Sequence, residues 1–251
     1  MIYFIVQARV GSSRLPNKIL LPFHNGRSIL ELMIEKLQQI KNTGIVIATS
    51  ENPDCDPIER IASDKGVLCF RGEETDVLQR FIDAAEKFHI RQLIRVCSDN
   101  PFLDLQGLRT LAEFAASSDR PVDYASFHIN ETPSILTHYG FWTEYTTLEA
   151  LLKVKELAGN DHYYHEHLTS YLYTHPDLFQ LHWLDVPKAI LTHQDIRLTI
   201  DTEEDFHTAQ AIYNAVCEQN PYPTLDELIA YLDQHQSIYQ TMKEQIDKNS
   251  K

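Results

Sequence analysis

Short apolar runs alternate with amphipathic helical patterns along the N-terminal part of this chain. The first run, Ile2–Gln7, precedes a helical pattern over Ser28–Ile40, and the same order then repeats up to residue 96. Strands joined through helices pair in parallel, because each crossover returns the chain to the same end of the sheet. The alternation therefore predicts an α/β fold of three layers, α/β/α, with a mixed, mostly parallel sheet.

The same periodicities predict the individual elements. The predicted strands are Ile2–Gln7, Gly44–Thr49, Val67–Phe70, Gln92–Val96, Asp123–Ser126, Leu181–Asp185 and Arg197–Ile200. The predicted helices are Ser28–Ile40, Asp56–Lys65, Thr75–Phe88, Asp104–Ala116, Glu144–Leu157, Tyr163–Tyr173, Thr202–Val216 and Thr224–His235. We expect Ser28, Thr75 and Thr224 to act as N-caps.

The alternation loosens between residues 121 and 187, where tyrosine and histidine accumulate. We expect this stretch to be an insertion within a single domain of residues 1–251. It would form a lid over a site, a dimerisation contact, or both. The polar residues 236–251 predict a flexible tail.

The charge balance argues against one broad class of function. The 22 lysines and arginines are outnumbered by 36 aspartates and glutamates, for a formal net charge of −14, whereas broad nucleic-acid binding needs a positive face. No apolar run is long enough to insert into a membrane, and no leader precedes the first strand, so we expect a cytoplasmic protein. The four cysteines are too widely spaced for a disulfide framework or a zinc cage.

The loop that follows the first strand concentrates cations. Residues 7 to 18 read Gln-Ala-Arg-Val-Gly-Ser-Ser-Arg-Leu-Pro-Asn-Lys. Glycine lets the backbone approach a ligand, and Arg9, Arg14 and Lys18 can neutralise anionic oxygens. The segment contains neither Gly-x4-Gly-Lys-Ser/Thr nor Gly-x-Gly-x-x-Gly. It predicts a binding site for nucleotide phosphates at the carboxyl edge of a parallel sheet, the alternative being a surface loop with solvated cations.

Two aspartates follow later predicted strands. Asp99 lies at the end of strand 92–96, ahead of Pro101, and Asp201 lies between strand 197–200 and a helix that Thr202 begins. Mg²⁺ is held by a few carboxylate oxygens together with phosphates and water. The pair predicts a magnesium site facing the basic loop, although each aspartate could instead be only a turn or capping residue.

Two other groups of residues with metal-binding side chains favour roles other than metal binding. Asp54 and Asp56 form a D-x-D, which could indicate a metal-dependent glycosyltransferase, but the adjacent prolines favour a turn with an N-cap. His162, His165 and His167 do not complete a His-Glu-x-x-His zinc motif. They favour a helix that faces a sugar or a dimer partner.

These segments together resemble the sugar-activating cytidylyltransferases. The resemblance is to the spore coat polysaccharide (SpsF-type) branch, which is related to the CMP-ketodeoxyoctonate and acylneuraminate cytidylyltransferases, and it spans most of residues 1–206. The matching segments are Gln7–Lys18, Arg71–Arg80, Arg95–Asp104, His165–Tyr171 and Asp201–Asp205.

The resemblance implies a nucleotidyltransferase fold of GT-A-like, Rossmann type and a set of site residues. Arg14, Lys18, Asp99 and Asp201 would be catalytic, with Mg²⁺ held by the two aspartates. Arg71 would bind nucleotide or would pair with Glu73 or Glu74. Cys97 stands where relatives that activate ketodeoxyoctonate carry a glutamine near the base. The implied nucleotide-binding residues are Gln7, Ala8, Arg9, Gly11, Ser12, Ser13, Arg14, Lys18, Arg71, Cys97 and Ser98, and the implied sugar-binding residues are Tyr139, Glu166 and His167.

The implied reaction is transfer of CMP from CTP to a sugar, expected to be acidic, with release of pyrophosphate. The resemblance further implies a homodimer that makes an activated nucleotide sugar for cell-surface or spore-coat polysaccharide. Two alternatives stay open. One is a metal-dependent glycosyltransferase that uses a finished nucleotide sugar, and the other is a nucleotide-binding subunit without catalysis.

Overall fold

The computed structural model describes residues 1–12, 14–117, 121–218 and 220–248. Its strands are β1 (Ile2–Gln7), β2 (Pro22–His24), β3 (Arg27–Ser28), β4 (Thr43–Ser50), β5 (Leu68–Gly72), β6 (Gln92–Cys97), β7 (Tyr124–Ile129), β8 (Thr132–Pro133), β9 (Glu144–Thr147) and β10 (Leu181–Asp185). Its α-helices are α1 (Ile29–Leu37), α2 (Asp56–Asp64), α3 (Val77–Lys87), α4 (Leu105–Ser117), α5 (Leu148–Ala158), α6 (His162–Glu166), α7 (Ser170–Thr174), α8 (Lys188–Leu191), α9 (Glu203–Val216), α10 (Leu225–Asp233) and α11 (Gln236–Lys248).

A mixed, mostly parallel sheet lies at the centre of the molecule. Its order is β10-β7-β9-β6-β1-β4-β5, with β8 paired to β7. β9 runs antiparallel to β6 and β7, whereas β6, β1, β4 and β5 are parallel to one another. β1 is flanked by β4 on one side and by β6 on the other, so the chain order reverses there. The carboxyl edge of such a switch point is where α/β sheets bind ligands.

Apolar residues on both faces of the strands account for the helices on both sides. In β1, Phe4 and Val6 belong to the larger core and Ile5 belongs to the smaller one. Helices α3, α5 and α7 complete the smaller core, and α1, α2, α4, α9 and α10 pack into the larger. Because strands buried on both faces are continuously apolar, the predicted three-layer α/β/α arrangement could be deduced from the strand sequences, and it is confirmed.

Two of the three predicted N-caps are confirmed. Ser28 and Thr224 each form a capping box with a glutamate three residues later. The prediction for Thr75 is wrong, because Asp76 caps α3 by accepting a hydrogen bond from the backbone N–H of Gln79 at 2.8 Å.

In two places the structure has a different type of element from the one predicted. Residues 197–200 form no strand, since the N–H groups of Leu198 and Thr199 donate to the His138 carbonyl and that of Ile200 to the Asp99 carbonyl. The predicted helix start at Glu144 is also wrong. Residues 144–147 are the antiparallel strand β9, and α5 begins only after Thr147, whose side chain caps it.

The second half of the chain is more regular than the sequence predicts. Residues 121–187 are not set apart from the sheet, because they supply β7, β9 and β10. The predicted helix 163–173 is two short helices, α6 and α7. Residues 236–248 form α11 instead of a flexible tail, since Met242 is buried in the larger core, and residues 249–251 lie outside the described residues. Within the described ranges, no helix has the length and apolar character that a membrane span requires.

Candidate active site

The loop after β1 is closed by its own backbone. The carbonyl of Val10 accepts hydrogen bonds from the N–H groups of Ser12 at 2.8 Å and Asn17 at 3.1 Å. Asn17 adopts a left-handed φ of 59°, a conformation that asparagine tolerates better than most residues. The carbonyl of Ile19 then accepts the N–H of Leu30, so the loop is fastened to the start of α1.

A cavity of about 480 Å³ lies where this loop meets the carboxyl edge of the sheet. Strand register contributes directly to it, since Gln7 at the end of β1 pairs with Cys97 at the end of β6. We call this cavity the loop lobe. Its lining includes Gln7, Arg9, Gly11, Ser12, Arg14 and Lys18 from the loop, and Cys97, Ser98, Asp99, Glu166, His167 and Asp201 from the opposite wall.

Each predicted cation of the loop pairs with a carboxylate of the opposite wall. Lys18 is the most buried of the three, with its side chain 12% exposed, and its Nζ also donates to the Ile200 carbonyl. The cations predicted to bind phosphate are therefore in direct contact with carboxylates, two of which are those predicted to bind metal. The three pairs are Lys18 Nζ–Asp99 Oδ2 at 2.9 Å, Arg14 Nη2–Asp201 Oδ1 at 3.0 Å and Arg9 Nη2–Glu166 Oε1 at 3.3 Å.

Asp201 is held in place by a second set of contacts. Arg197 donates to Asp201 Oδ2 at 3.0 Å and to both carboxylate oxygens of Asp205. Burial would raise the pKa of Asp205, but its hydrogen bonds with Arg197 hold that pKa below its ordinary value. Because Thr202 caps α9, Asp201 is not the capping residue that one interpretation of the sequence allowed.

Asp99 is not a helix cap either. The cap of α4 is Asp104, whose carboxylate accepts from the N–H groups of Gln106 and Gly107. The Asp99 carboxylate instead faces Lys18, and its backbone carbonyl binds the N–H of Ile200. Both predicted metal aspartates thus line one cavity, and the backbone of Asp99 is bonded to Ile200, the residue before Asp201.

The donor set suits a hard divalent ion better than zinc. Among the described residues, no group of three or more His, Cys, Asp or Glu side chains is placed to hold a metal. Asp99 and Asp201 supply two carboxylates beside a cavity large enough for phosphates and water. Mg²⁺ is commonly bound by one or two carboxylates together with substrate phosphates, so these residues fit such an ion.

A second cavity, of about 420 Å³, adjoins the loop lobe. The two share Cys97, Asp99, His167 and Asp201. We call it the second lobe. The remaining residues of its lining are Arg95, Asn100, Ser134, Ile135, Leu136, Thr137, Gly140, Trp142, Tyr163, Tyr173 and Thr199.

A buried polar network behind the two lobes was not predicted from the sequence. Arg95 donates to Glu144 Oε2 and to Thr169 Oγ1, both at 2.8 Å, and to Gln7 Oε1 at 3.0 Å. Tyr124 donates to the other oxygen of Glu144 at 2.7 Å. Because Arg95 holds the amide oxygen of Gln7, the amide NH₂ group is left for the loop lobe. The arginine within the otherwise apolar run of β6 was the sequence feature that could have indicated a buried polar network.

Comparison with known proteins identifies the family of this chain. Residues 3–246 match a family model described as cytidylyltransferase. The chain belongs to the cytidylyltransferase family. It is 33% identical to the spore coat polysaccharide biosynthesis protein SpsF of Bacillus subtilis over 239 residues, which cover 93% of this chain and 95% of SpsF.

Solved structures show the same fold. A cytidylyltransferase from Leptospira borgpetersenii superposes with a TM-score of 0.83 at 28% identity, covering 95% of this chain and 96% of that one. A CMP:2-keto-3-deoxy-manno-octonic acid synthetase, in complex with CTP, superposes with a TM-score of 0.64 at 15% identity and covers 84% of this chain and 97% of that one. This cytidylyltransferase is accordingly an enzyme of the nucleotidyltransferase class.

Three residues that the resemblance implied do not reach the lobes of this cytidylyltransferase. Ala8 is buried in the larger core, and its N–H donates to Ala48. Arg71 binds Asp56 at 2.6 Å and Glu59 at 2.9 Å, so it contacts neither cavity and does not pair with a neighbouring glutamate. Tyr139 packs against Phe141 in the core, with ring centroids 5.9 Å apart. Ser13 lies outside the described residues.

The three histidines singled out in the sequence of this cytidylyltransferase lie in different surroundings. His167 lines both lobes, and burial lowers its pKa. His165 lies outside them, with Nδ1 2.7 Å from Asp76 Oδ2 and Nε2 2.8 Å from the Gly159 carbonyl. It fastens α6, which carries Glu166, to the cap of α3. His162 is exposed.

Proposed function

We propose that the protein transfers CMP from CTP to a sugar hydroxyl and releases pyrophosphate. The observation that carries this proposal is the set of three cation–carboxylate pairs across the loop lobe. The cations suit phosphate oxygens, and two of the carboxylates suit a divalent ion. Both sets of groups are needed at the α-phosphate of a nucleoside triphosphate that is being attacked.

The cations would hold the triphosphate and stabilise the leaving pyrophosphate. Arg14 and Lys18 would bind phosphate oxygens that carry increasing charge as the bond to the α-phosphorus breaks. Arg9, paired with Glu166 at the outer edge, would bind the phosphates farther from the sheet. The closed loop positions the backbone from which these side chains extend, which would favour a productive orientation of the triphosphate.

Asp99 and Asp201 are the residues that would hold the divalent ion, which we propose to be Mg²⁺. When bound, such an ion neutralises charge on the phosphates. A neighbour in fold from Mycobacterium tuberculosis is described in complex with manganese. Arg197 and Asp205 fix the orientation of Asp201, as the hydrogen bonds above show.

The rest of the lobe would select nucleotide and sugar. The amide of Gln7, together with Cys97 and Ser98, would contact the nucleoside. Glu166 and His167 would contact the sugar, since His167 borders both lobes. Phosphoryl transfer of this type requires positioning and charge neutralisation more than covalent chemistry by the protein.

The identity of the donor and acceptor, the use of the product and the oligomeric state remain predictions. The name of the Bacillus subtilis relative supports a product used for spore-coat or cell-surface polysaccharide. The CTP complex of the octonic acid synthetase supports CTP as donor and an acidic sugar as acceptor. A homodimer is expected from the family resemblance.

Pyrophosphate release tests the proposal against its alternatives. The protein would be incubated with Mg²⁺, each of the four nucleoside triphosphates, and a panel of nonulosonic, octulosonic and ordinary sugars. We expect release with CTP and one class of sugar. Binding of a nucleotide sugar without release would favour glycosyl transfer, and binding of CTP without turnover would favour a non-catalytic subunit.

A further inference from the structure

The second lobe contains buried polar atoms that have no hydrogen-bond partner among the described residues. Two of these atoms are Asn100 Oδ1 and Thr199 Oγ1, in residues that are 5% and 7% exposed. Both residues line the lobe. A buried polar group without a partner is costly and rare in folded proteins, so a ligand that supplies one is favoured. A third such atom, Trp142 Nε1, lies beside Gly107 at the start of α4.

The two groups lie next to the aspartates of the reacting centre. Asn100 follows Asp99 directly, and Thr199 precedes Asp201 by two residues. The backbone N–H of Thr199 donates to the His138 carbonyl at 3.2 Å. A ligand that binds these side chains would therefore be positioned by the same two segments that carry the aspartates.

The backbone around the two groups is tightly packed. Gly140 has a left-handed φ of 69°, and a Cβ there would lie 3.2 Å from both Asn100 Oδ1 and the Leu198 carbonyl. Glycine is thus required both by the conformation and by the close approach. The amide oxygen of Asn100 therefore lies close against this turn.

The charge of the second lobe does not match a carboxylate. Arg95 is the one lysine or arginine in its lining, and its guanidinium is already bound by Glu144, Thr169 and Gln7. On the inner wall, Lys18, Arg14 and Arg197 are likewise already paired with Asp99 and Asp201. The outer wall contains Ile135, Leu136 and Trp142, which suit the C–H faces of a sugar ring.

We propose that Asn100 and Thr199 form a specificity subsite for uncharged hydrogen-bonding groups of the acceptor sugar. A hydroxyl or the N–H of an acetamido group would donate to Asn100 Oδ1, and Thr199 Oγ1 would donate to or accept from a neighbouring oxygen. The carboxylate of an acidic acceptor would bind outside this lobe. This inference rests on the proposed transfer to a sugar, and it specifies which part of the sugar the lobe recognises.

Thr199→Val tests the subsite, because it removes the hydroxyl and keeps the shape. We expect the KM for the acceptor to rise about 3- to 10-fold, the range that loss of one neutral hydrogen bond produces, while the KM for CTP stays within twofold. Thr199→Ser should restore the acceptor KM. The melting temperature should not fall, since the hydroxyl has no partner in the protein to lose.

Thr49→Val is the matched control. Its hydroxyl is likewise buried and without a partner among the described residues, but it lines neither lobe. We expect both KM values to match the wild type. An acceptor analogue that lacks one hydroxyl or acetamido group should lose affinity for the wild type and show no further loss with Thr199→Val.

The outcomes separate the subsite from the proposed function. Wild-type turnover with an unchanged acceptor KM in Thr199→Val would overturn the subsite alone. A fall in the melting temperature of Thr199→Val, with the KM values for CTP and for the acceptor both raised, would show a structural role for Thr199. That result would also overturn the subsite. Failure of the wild-type protein to release pyrophosphate with any sugar would overturn both proposals.

Discussion

Lys18 donates a hydrogen bond to the carboxylate of Asp99 at 2.9 Å and a second one to the carbonyl of Ile200. One side chain from the loop after β1 therefore joins the end of β6 to the segment that carries Asp201. A single cation binding both segments explains how three stretches far apart in sequence converge on one cavity. It also means that a phosphate that draws Lys18 away changes the surroundings of both aspartates together.

Lys18→Met should reduce turnover sharply. The substitution removes the buried cation and keeps the length of the side chain, so we expect kcat/KM for CTP to fall about 100-fold or more, as when one preorganised charge is lost from an active site. Steady-state pyrophosphate release measures the effect. Lys243→Met is the control, because Lys243 pairs with Asp195 on the surface at 3.7 Å. Equal activity in both variants would refute the role of Lys18.

Asp99→Asn and Asp201→Asn should each abolish most turnover without unfolding the protein. Each keeps the shape of the side chain and removes a charge that the proposed divalent ion would need, so a loss of about 100-fold or more is expected. Circular dichroism would check the fold. Asp54→Asn, in the exposed D-x-D, should retain activity. Wild-type-like rates in both site variants would rule out the metal assignment.

Glu144→Ala should destabilise the fold strongly. Glu144 and Arg95 have side chains 1% and 7% exposed, and removal of one partner leaves a buried charge without compensation. Such losses cost about 3–5 kcal/mol. Asp195→Ala, which breaks an exposed pair, should cost about 1 kcal/mol or less. Urea unfolding measures both, and similar values would contradict the predicted importance of the buried pair.

The contact between His165 and Asp76 should make stability depend on pH. Burial would lower the pKa of His165, but its hydrogen bonds with Gly159 and Asp76 raise the pKa above its ordinary value of 6.5. Its contribution is therefore fully present below pH 6.5 and is lost as the pH rises through the folded-state pKa. Melting temperatures of the wild type and His165→Gln should differ more at pH 5.5 than at pH 8.5. A difference that grows with pH would contradict this.

Gly140→Ala should lower the free energy of unfolding more than Gly26→Ala does, although both glycines have left-handed φ values, 69° and 76°. The conformational strain of about 1–2 kcal/mol is common to both. A Cβ at residue 26 meets nothing within 4 Å, whereas one at residue 140 meets Asn100 and Leu198 at 3.2 Å. Chemical denaturation measures the difference. Equal losses of unfolding free energy in the two variants would show that the turn at Gly140 can rearrange to accommodate a Cβ.

Local sequence signals predicted most of the sheet and much of the loop lobe. Ile2–Gln7 is the strand predicted, because a strand buried on both faces is apolar along its length. Leu181–Asp185 also has the predicted bounds, as an edge strand in which polar and apolar residues are mixed. The loop cations and Asp99 could be placed because residues that follow parallel strands meet at one edge. Asn25-Gly26 forms the turn of the β2–β3 hairpin, and this dipeptide is a turn signal from which the hairpin could have been predicted.

Several of the errors came from contacts between residues distant in sequence. Glu144 resembles the polar start of a helix until Arg95, 49 residues earlier, is placed beside it in the sheet. Residues 197–200 have a strand-like pattern, but their N–H groups bind His138 and Asp99, which no local periodicity reveals. The same holds for Arg71, because its partners lie on α2.

The most direct test of CMP transfer is ³¹P NMR of the protein with CTP, Mg²⁺ and the sugar that supports pyrophosphate release. We predict that the three CTP resonances are replaced by pyrophosphate and by one phosphodiester signal of a CMP-linked sugar. Unchanged CTP, or a product with a nucleoside diphosphate linked to the sugar, would contradict the account.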